Sequence, residues 1–116
     1  MSVQTIDAVQ LEEMLAGAEP IRLINVLKRE SFERLHIPGS ESIPRRELPE
    51  RAPQQLGREE AIVVYCADEN CEASPKAAAT LDRMGYERVY DFAGGIAEWR
   101  RGGRPLVRDR ARERAA

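Results

Sequence analysis

The segment that most constrains the fold is a continuous run of apolar residues, AIVVY, at positions 61–65. Its three central residues are β-branched, which favours an extended strand. The run does not alternate between polar and apolar residues, so both faces of the strand must be covered by protein. Strands of this kind belong to parallel sheets with helices on both sides.

The rest of the chain alternates between helix and strand signals around this run. Before this run, the predicted elements are a helix capped by Asp7 or Thr5 and stopped at Gly17, a strand at 21–27, a short helix at about 30–35, an extended segment at 42–44 and a helix at 47–56 that Pro53 breaks or shortens. After it come a helix that has Ser74 as its N-cap and ends near Gly85, a strand at 88–92, and a helix after Gly94 and Gly95. Such alternation predicts an α/β fold with a central parallel sheet and helices on both faces.

The length of 116 residues predicts one domain, because a chain of this size buries about two-thirds of its unfolded surface. We expect that domain to span residues 1–107 and a charged, frayed tail to span 108–116. From Arg100 onward, seven arginines and two acidic residues give a charge of +5 within a chain whose net charge is −2. No aromatic residues interleave these arginines, so a solvated terminus is predicted rather than a nucleic-acid partner.

Composition excludes several classes of protein. With 42% hydrophobic and 33% charged residues, the chain is not collagenous, membrane-embedded or wholly disordered. It has no apolar run near the roughly 18 residues of a membrane span, and its first 20 residues lack the pattern of a signal peptide. We therefore expect a cytoplasmic protein with no membrane partner.

The functional signal lies directly after the 61–65 strand, where both cysteines fall. Cys66 directly follows that strand, and Cys71 lies in the loop before the next helix. Ligands of parallel α/β sheets bind where strands end and helices begin. In a tight loop, backbone N–H groups and the helix N-terminus point at the sulfur and favour the nucleophilic thiolate. On position alone, a small buried cysteine at a strand end is an equally good interpretation.

Several short segments follow one another in an informative order. They are LINV at 23–26, SF at 31–32, HIPGS at 36–40, SIP at 42–44, IVVYC at 62–66, SPKAA at 74–78, GY at 85–86, VY at 89–90 and GGIAEW at 94–99. As a set they resemble the rhodanese-like domain family, over about three-quarters of the chain. The resemblance implies a parallel α/β fold and sulfurtransferase chemistry, in which a strand-end cysteine accepts a sulfane sulfur as a persulfide and passes it on.

The resemblance assigns the nucleophile to Cys66. The backbone amides of the following loop would then hold the negative charge of the transferred sulfur, and these are the amides of Ala67, Asp68, Glu69, Asn70, Cys71 and Glu72. The implied partners are a small sulfur donor and a thiol or protein acceptor, with no cofactor. This interpretation requires that the Cys66 sulfur be reachable and that main-chain N–H groups face it.

The chain departs from the family pattern at several positions. Asn25 and Leu27 stand where members often have aspartate and arginine, and Leu35 stands where glycine is common. Ser74 follows Cys66 by eight positions, whereas the common spacing is six. A basic loop is typical of active thiosulfate enzymes, but this one is acidic and repels a dianion, which argues against thiosulfate as the physiological donor.

Phosphatase activity is excluded by one position of the loop. The related phosphatases need an arginine six residues after the cysteine, because its guanidinium holds the phosphate oxygens. Glu72 occupies that position here.

Two alternatives to sulfur transfer remain open from the sequence. The first is a catalytically silent rhodanese-like module that binds a partner protein, as the acidic loop and the family departures suggest. The second is a thiol redox switch, in which Cys71 resolves an oxidised Cys66 through a disulfide within the loop. The interpretation of Cys71 as an inert loop residue is favoured over this resolving role.

No metal or dinucleotide site is predicted. The two cysteines and the single histidine, His36, lack the paired spacing of zinc ligands. His36 lies in a turn motif, where a hydrogen-bonded structural role is expected. The glycine pairs at 94–95 and 102–103 do not form the pattern of a dinucleotide-binding loop.

Overall fold

The computed structural model describes residues 3–108, which form one five-stranded sheet with helices around it. The elements are β1 (Val3–Ile6), α1 (Ala8–Ala16), β2 (Ile21–Asn25), α2 (Arg29–Arg34), β3 (Glu41–Ser42), a 3-10 turn (Arg45–Glu47), α3 (Leu48–Gln55), β4 (Ala61–Tyr65), α4 (Ala73–Arg83), β5 (Arg88–Phe92) and α5 (Gly95–Arg101). The strand order is β1-β5-β4-β2-β3, and every neighbouring pair is parallel. The predicted α/β class is confirmed.

Helices cover both faces of the sheet, as the apolar run of β4 predicts. All five residues of β4 are buried, and its side chains point alternately to the two faces. On one face, α3 and α4 pack against the sheet in a core that includes Val64 and Leu81. On the other face, α1 and α5 pack in a core that includes Val63 and Trp99. β4 is therefore the strand most fully enclosed by the fold, and its carboxyl end leads to Cys66.

Three differences from the sequence prediction have a clear physical reason. β1 was not expected, because only Ile6 of its four residues is buried and an exposed edge strand carries no apolar pattern. β2 ends at Asn25 rather than near Leu27, because the Asn25 side-chain oxygen accepts the Leu27 N–H at 2.9 Å and turns the chain. Ser74 is not the N-cap of α4: the cap residue is Glu72, and Ser74 is a buried residue of the first turn.

The C-terminal segment pairs with the turn after α2. The N–H of His36 donates to the carbonyl of Val107 at 3.0 Å, and the Val107 N–H donates to the His36 carbonyl at 2.8 Å. Apart from Arg108, the tail predicted at 108–116 lies outside the described residues. None of the helices in the described part of the chain has the length and apolar character needed to cross a bilayer.

A buried hydroxyl holds the turn after α2 to the sheet. The Tyr65 hydroxyl accepts the Ile37 N–H at 3.0 Å and the Asn25 side-chain N–H at 3.1 Å. It also lies 2.8 Å from Ser40 Oγ, which donates its own proton to the Ile37 carbonyl at 2.6 Å. Tyr65 therefore donates to Ser40, so one hydroxyl satisfies three polar groups.

We expect Tyr65→Phe to lower the free energy of unfolding by about 2 kcal/mol, because two N–H donors lose their acceptor inside the core. Denaturant titration measures this change. Tyr86→Phe is the matched control, since the Tyr86 hydroxyl makes one bond, to the Leu56 carbonyl at 3.2 Å, and its loss is expected to cost about half as much. Equal losses for the two variants would contradict the role assigned to the Tyr65 hydroxyl.

Candidate active site

The chain at Cys66 is fixed by the start of α5. The carbonyl of Cys66 accepts the Ile96 N–H at 3.0 Å, and the carbonyl of Ala67 accepts the Ala97 N–H at 2.9 Å. Gly95 makes this approach possible with a φ of +59°. A Cβ built on Gly95 would lie 2.2 Å from the Cys66 carbonyl oxygen, so the backbones meet at a distance that only glycine permits.

The loop after Ala67 is closed by its own hydrogen bonds. Asp68 accepts the Asn70 N–H on its side chain at 2.9 Å and the Cys71 N–H on its carbonyl at 3.1 Å. Two of the six amides expected to face the sulfur are thus bonded to Asp68 instead. This part of the predicted anion cradle is wrong for the conformation described, because the side chain of Asp68 takes the Asn70 N–H and its backbone carbonyl takes the Cys71 N–H.

The Cys66 sulfur is held as a covered thiol. The residue is fully buried, and its S–H donates to the Cys71 carbonyl at 3.7 Å. Burial is the largest effect on the pKa of the Cys66 thiol and, together with the neighbouring Cys71 thiol, raises it to about 11. The hydroxyl and the N–H of Ser74 act in the opposite direction and lower this pKa. The prediction of a reachable thiolate is therefore wrong for this closed conformation, since burial outweighs the nearby N–H groups.

The structure brings the two predicted thiols together. Cys71 is half-buried, and both cysteines are free. The side chain of Cys71 is close enough to Cys66 to change the pKa of its thiol. Across residues 3–108, no group of three or more histidine, cysteine or acidic side chains is arranged to hold a metal ion.

The acidic residues of the loop lie at its outer side rather than against the sulfur. The Glu72 carboxylate is exposed and pairs with Lys76 at 2.9 Å, which lowers the pKa of Glu72. Glu69 is exposed, and Asp68 is occupied by the loop bonds. The repulsion of an anionic donor is therefore weaker than the sequence predicts, because one of the three charges is already compensated.

His36 has the structural role expected of it. Its ring stacks on Phe32 with centroids 3.9 Å apart, and Nδ1 donates to the Phe32 carbonyl at 2.7 Å. Both groups belong to α2 and the turn that follows, so the His36 ring is held in place by its own helix.

Two features near the loop were not predicted from the sequence. The first is a groove of about 380 Å³ beside Ala67, between α2 and α5. Its lining includes Leu27, Arg34, Leu35, Ile96 and Arg100. The second is a pair of buried polar residues below the loop, Ser74 and Asp91, which are 0% and 5% exposed. Neither leaves a sequence signal, because each depends on elements that only the fold brings together.

The fold and the site together define a class of protein: an α/β domain whose enclosed central strand is followed directly by a cysteine, a short loop and a helix. Comparison with known families gives the same result, since the rhodanese-like domain model matches residues 7–101. The chain belongs to the rhodanese-like domain family.

Individual relatives agree with this assignment. A protein named sulfurtransferase from Allochromatium vinosum is 30% identical over 105 residues, which cover 90% of this chain and 95% of that protein. The thiosulfate sulfurtransferase GlpE of Tolumonas auensis is 30% identical over 100 residues and covers 86% of this chain and 92% of its own. The solution structure of the rhodanese-like domain of Anabaena sp. Alr3790 has a TM-score of 0.83 at 31% identity, with 97% and 84% of the two chains covered.

Proposed function

We propose that this protein is a sulfurtransferase or persulfide carrier with Cys66 as its nucleophile. The observation that carries the proposal is the placement of Cys66 at the carboxyl end of β4, inside a loop that leads into α4, in a chain of the rhodanese-like family. The names of two relatives, sulfurtransferase and thiosulfate sulfurtransferase, support the same chemistry.

The reaction has two balanced steps. In the first, the Cys66 thiolate attacks the transferable sulfur of a small donor and a new sulfur–sulfur bond forms. The bond that breaks is a sulfur–sulfur bond in thiosulfate or polysulfide and a carbon–sulfur bond in mercaptopyruvate, and the donor's remaining group leaves with its electron pair. In the second, an acceptor thiolate attacks the outer sulfur of the persulfide, and Cys66 leaves as a thiolate. Sulfur moves between thiols without net oxidation, so no cofactor is needed.

Sulfur transfer requires the loop to open. The Cys66 sulfur is fully buried, so a donor reaches it only after residues 68–72 move aside. The bonds between Asp68, Asn70 and Cys71 close within the loop and can move with it. The carbonyls of Cys66 and Ala67 stay bound to α5, so opening exposes the sulfur without displacing its backbone.

Ser74 is the group best placed to stabilise an anionic sulfur. Its hydroxyl and its N–H both lower the pKa of the Cys66 thiol. The N–H belongs to the first turn of α4, where backbone donors lack partners within the helix. When the loop opens and water reaches the sulfur, the cost of burial falls while these donors remain. The open conformation is therefore the one in which the thiolate forms.

We expect Cys66 to be alkylated slowly at neutral pH and faster as pH rises. A thiol with a pKa of about 11 is ionised in about one molecule in ten thousand at pH 7, and this fraction grows about tenfold per pH unit. The rate of iodoacetamide labelling at Cys66, resolved from Cys71 by fragment-ion mass spectrometry, checks this slope. A rate already constant above pH 7 would contradict the raised pKa.

A catalytically silent, partner-binding module is the second candidate. The closed loop and the protonated thiol favour it, since both keep Cys66 from reacting. The groove between α2 and α5 gives such a module a recessed surface. Sulfur loading separates the two candidates, because a silent module takes up no sulfur from any donor.

A further inference from the structure

Two buried polar side chains beside the proposed nucleophile have no assigned role. Ser74 is fully buried and Asp91 is 5% exposed. Ser74 Oγ and Asp91 Oδ1 make no hydrogen bond of conventional geometry within the described part of the chain. Buried polar atoms without partners cost free energy, so their presence in a core calls for an explanation.

Strand register brings Asp91 to the same face of the sheet as Cys66. Asp91 of β5 pairs with Val64 of β4. Val64 and Cys66 are two positions apart, and both belong to the core beneath α4. Ser74, in the first turn of α4, is close enough to the Cys66 thiol and to the Asp91 carboxyl to change the pKa of each.

Within residues 3–108, Ser74 is the residue that affects the pKa of both Cys66 and Asp91. Burial raises the pKa of Asp91 and Ser74 lowers it. Cys66 is affected by burial, by Cys71 and by Ser74. The strand neighbours of Asp91 are uncharged, Thr5 on β1 and Val64 on β4. At the start of α4, the N-cap residue Glu72 and Lys76 pair with each other at the surface.

We propose that Asp91 is a positioning residue that controls, through the Ser74 hydroxyl, whether the Cys66 sulfur is held as a neutral thiol or as an anion. A hydroxyl has one proton and donates it to one partner at a time. When Asp91 is ionised, Ser74 donates to the carboxylate and offers only lone pairs to Cys66, which favours the thiol. When Asp91 is protonated, it donates to Ser74 Oγ, and the serine proton turns toward the sulfur.

The two ionisations therefore oppose each other. A negative charge on Cys66, either the thiolate or the outer sulfur of a persulfide, favours the protonated form of Asp91. Protonation of Asp91 stabilises the anionic sulfur by a certain free energy. By linkage, an anionic sulfur raises the affinity of Asp91 for a proton by that same free energy. This inference concerns the nucleophile of the proposed function, but it is tested on thiol reactivity alone.

Asp91→Asn provides the first test, because the amide can donate to Ser74 Oγ at every pH and cannot become negatively charged. We expect the thiol pKa of Cys66 to fall by about one unit and its iodoacetamide labelling at pH 8 to become about threefold faster, since the lower pKa also reduces nucleophilicity. The same substitution in a Ser74→Ala background should leave the rate unchanged. An unchanged rate in the single variant, or an equal increase in the Ser74→Ala background, overturns the proposal.

The pH profile of the unsubstituted protein provides a test that does not depend on the folding of Asp91→Asn. Labelling of Cys66 by a methanethiosulfonate reagent, followed from about pH 4 to about pH 8, should show an interval of reduced slope where Asp91 titrates. Ser74→Ala should restore a uniform slope. Uniform slopes in both proteins overturn the proposal. Labelling uses no sulfur donor, so a failure of sulfur transfer leaves this result standing on its own.

Discussion

Gly95→Ala is expected to destabilise the domain by at least about 3 kcal/mol and to displace the loop that carries Cys66. The added Cβ would lie 2.2 Å from the Cys66 carbonyl oxygen and 2.9 Å from the carbonyl carbon of Ala67. Both are backbone atoms on the segment that α5 holds, so neither can move without breaking the bonds to Ile96 and Ala97. Denaturant titration measures the loss, and the rate of Cys66 labelling reports the displaced loop.

Gly39→Ala is the matched control for this effect. Gly39 has a more positive φ, +83°, than the +59° of Gly95, but a Cβ there meets nothing within 4 Å. Backbone strain alone therefore predicts the larger loss at Gly39, whereas the steric clash predicts the larger loss at Gly95. We expect about 1–2 kcal/mol for Gly39→Ala. A loss at Gly39 equal to or above that at Gly95 would show that the contact with Cys66 does not constrain the site.

Cys66→Ser is expected to reduce kcat/KM for sulfur delivery to an acceptor thiol by at least about three orders of magnitude. A serine hydroxyl is not ionised at any pH the fold tolerates, and it cannot form the sulfur–sulfur bond that stores the transferred atom. The assay follows persulfide formation on a small thiol, with polysulfide, mercaptopyruvate or thiosulfate as donor.

Cys71→Ser is the control that locates the nucleophile. Cys71 offers the Cys66 thiol a backbone carbonyl, which serine retains. Sulfur delivery should therefore survive Cys71→Ser. The reverse pattern, activity lost with Cys71→Ser and kept with Cys66→Ser, would assign the chemistry to the loop thiol. Rapid formation of a disulfide between the two, with no transferred sulfur, would instead support the redox switch.

The strands that the sequence predicts correctly are those whose apolar residues are buried in the middle of the sheet. β4 and β5 are found at the predicted bounds, because the apolar pattern of each reflects its burial. β1 was missed because three of its four residues face solvent, and its place at the sheet edge depends on pairing with β5. Local patterns carry no information about such long-range pairing.

The electrostatics of the site were less predictable than its location. The strand-end position of Cys66 follows from the β4 pattern, but the state of its thiol depends on which donors the loop leaves free. Asp68 binds two of them, and the carbonyl of Cys71 accepts a hydrogen bond from the thiol. Asp91 is indistinguishable by sequence from an outward-facing strand residue, and only the register of β5 on β4 places it beside Cys66.

For the proposed sulfur transfer, we expect the charges around the loop to influence which donor reacts. Asp68 and Glu69 keep the entrance acidic, although Lys76 compensates Glu72. We therefore expect a monoanionic or neutral sulfur donor to load Cys66 faster than a dianion, and added salt to reduce the difference. Polysulfide species of low charge and mercaptopyruvate are for this reason better first donors to test than thiosulfate.

Sulfur transfer by this protein requires that the Cys66 thiol become available and store one sulfur atom. Intact-mass spectrometry of the full chain after incubation with polysulfide, mercaptopyruvate or thiosulfate tests it directly. We expect a gain of the mass of one sulfur atom with at least one donor, reversed by a thiol reductant and absent from Cys66→Ser. An unchanged mass with all three donors, in protein that remains folded, would contradict sulfur transfer and leave a partner-binding module.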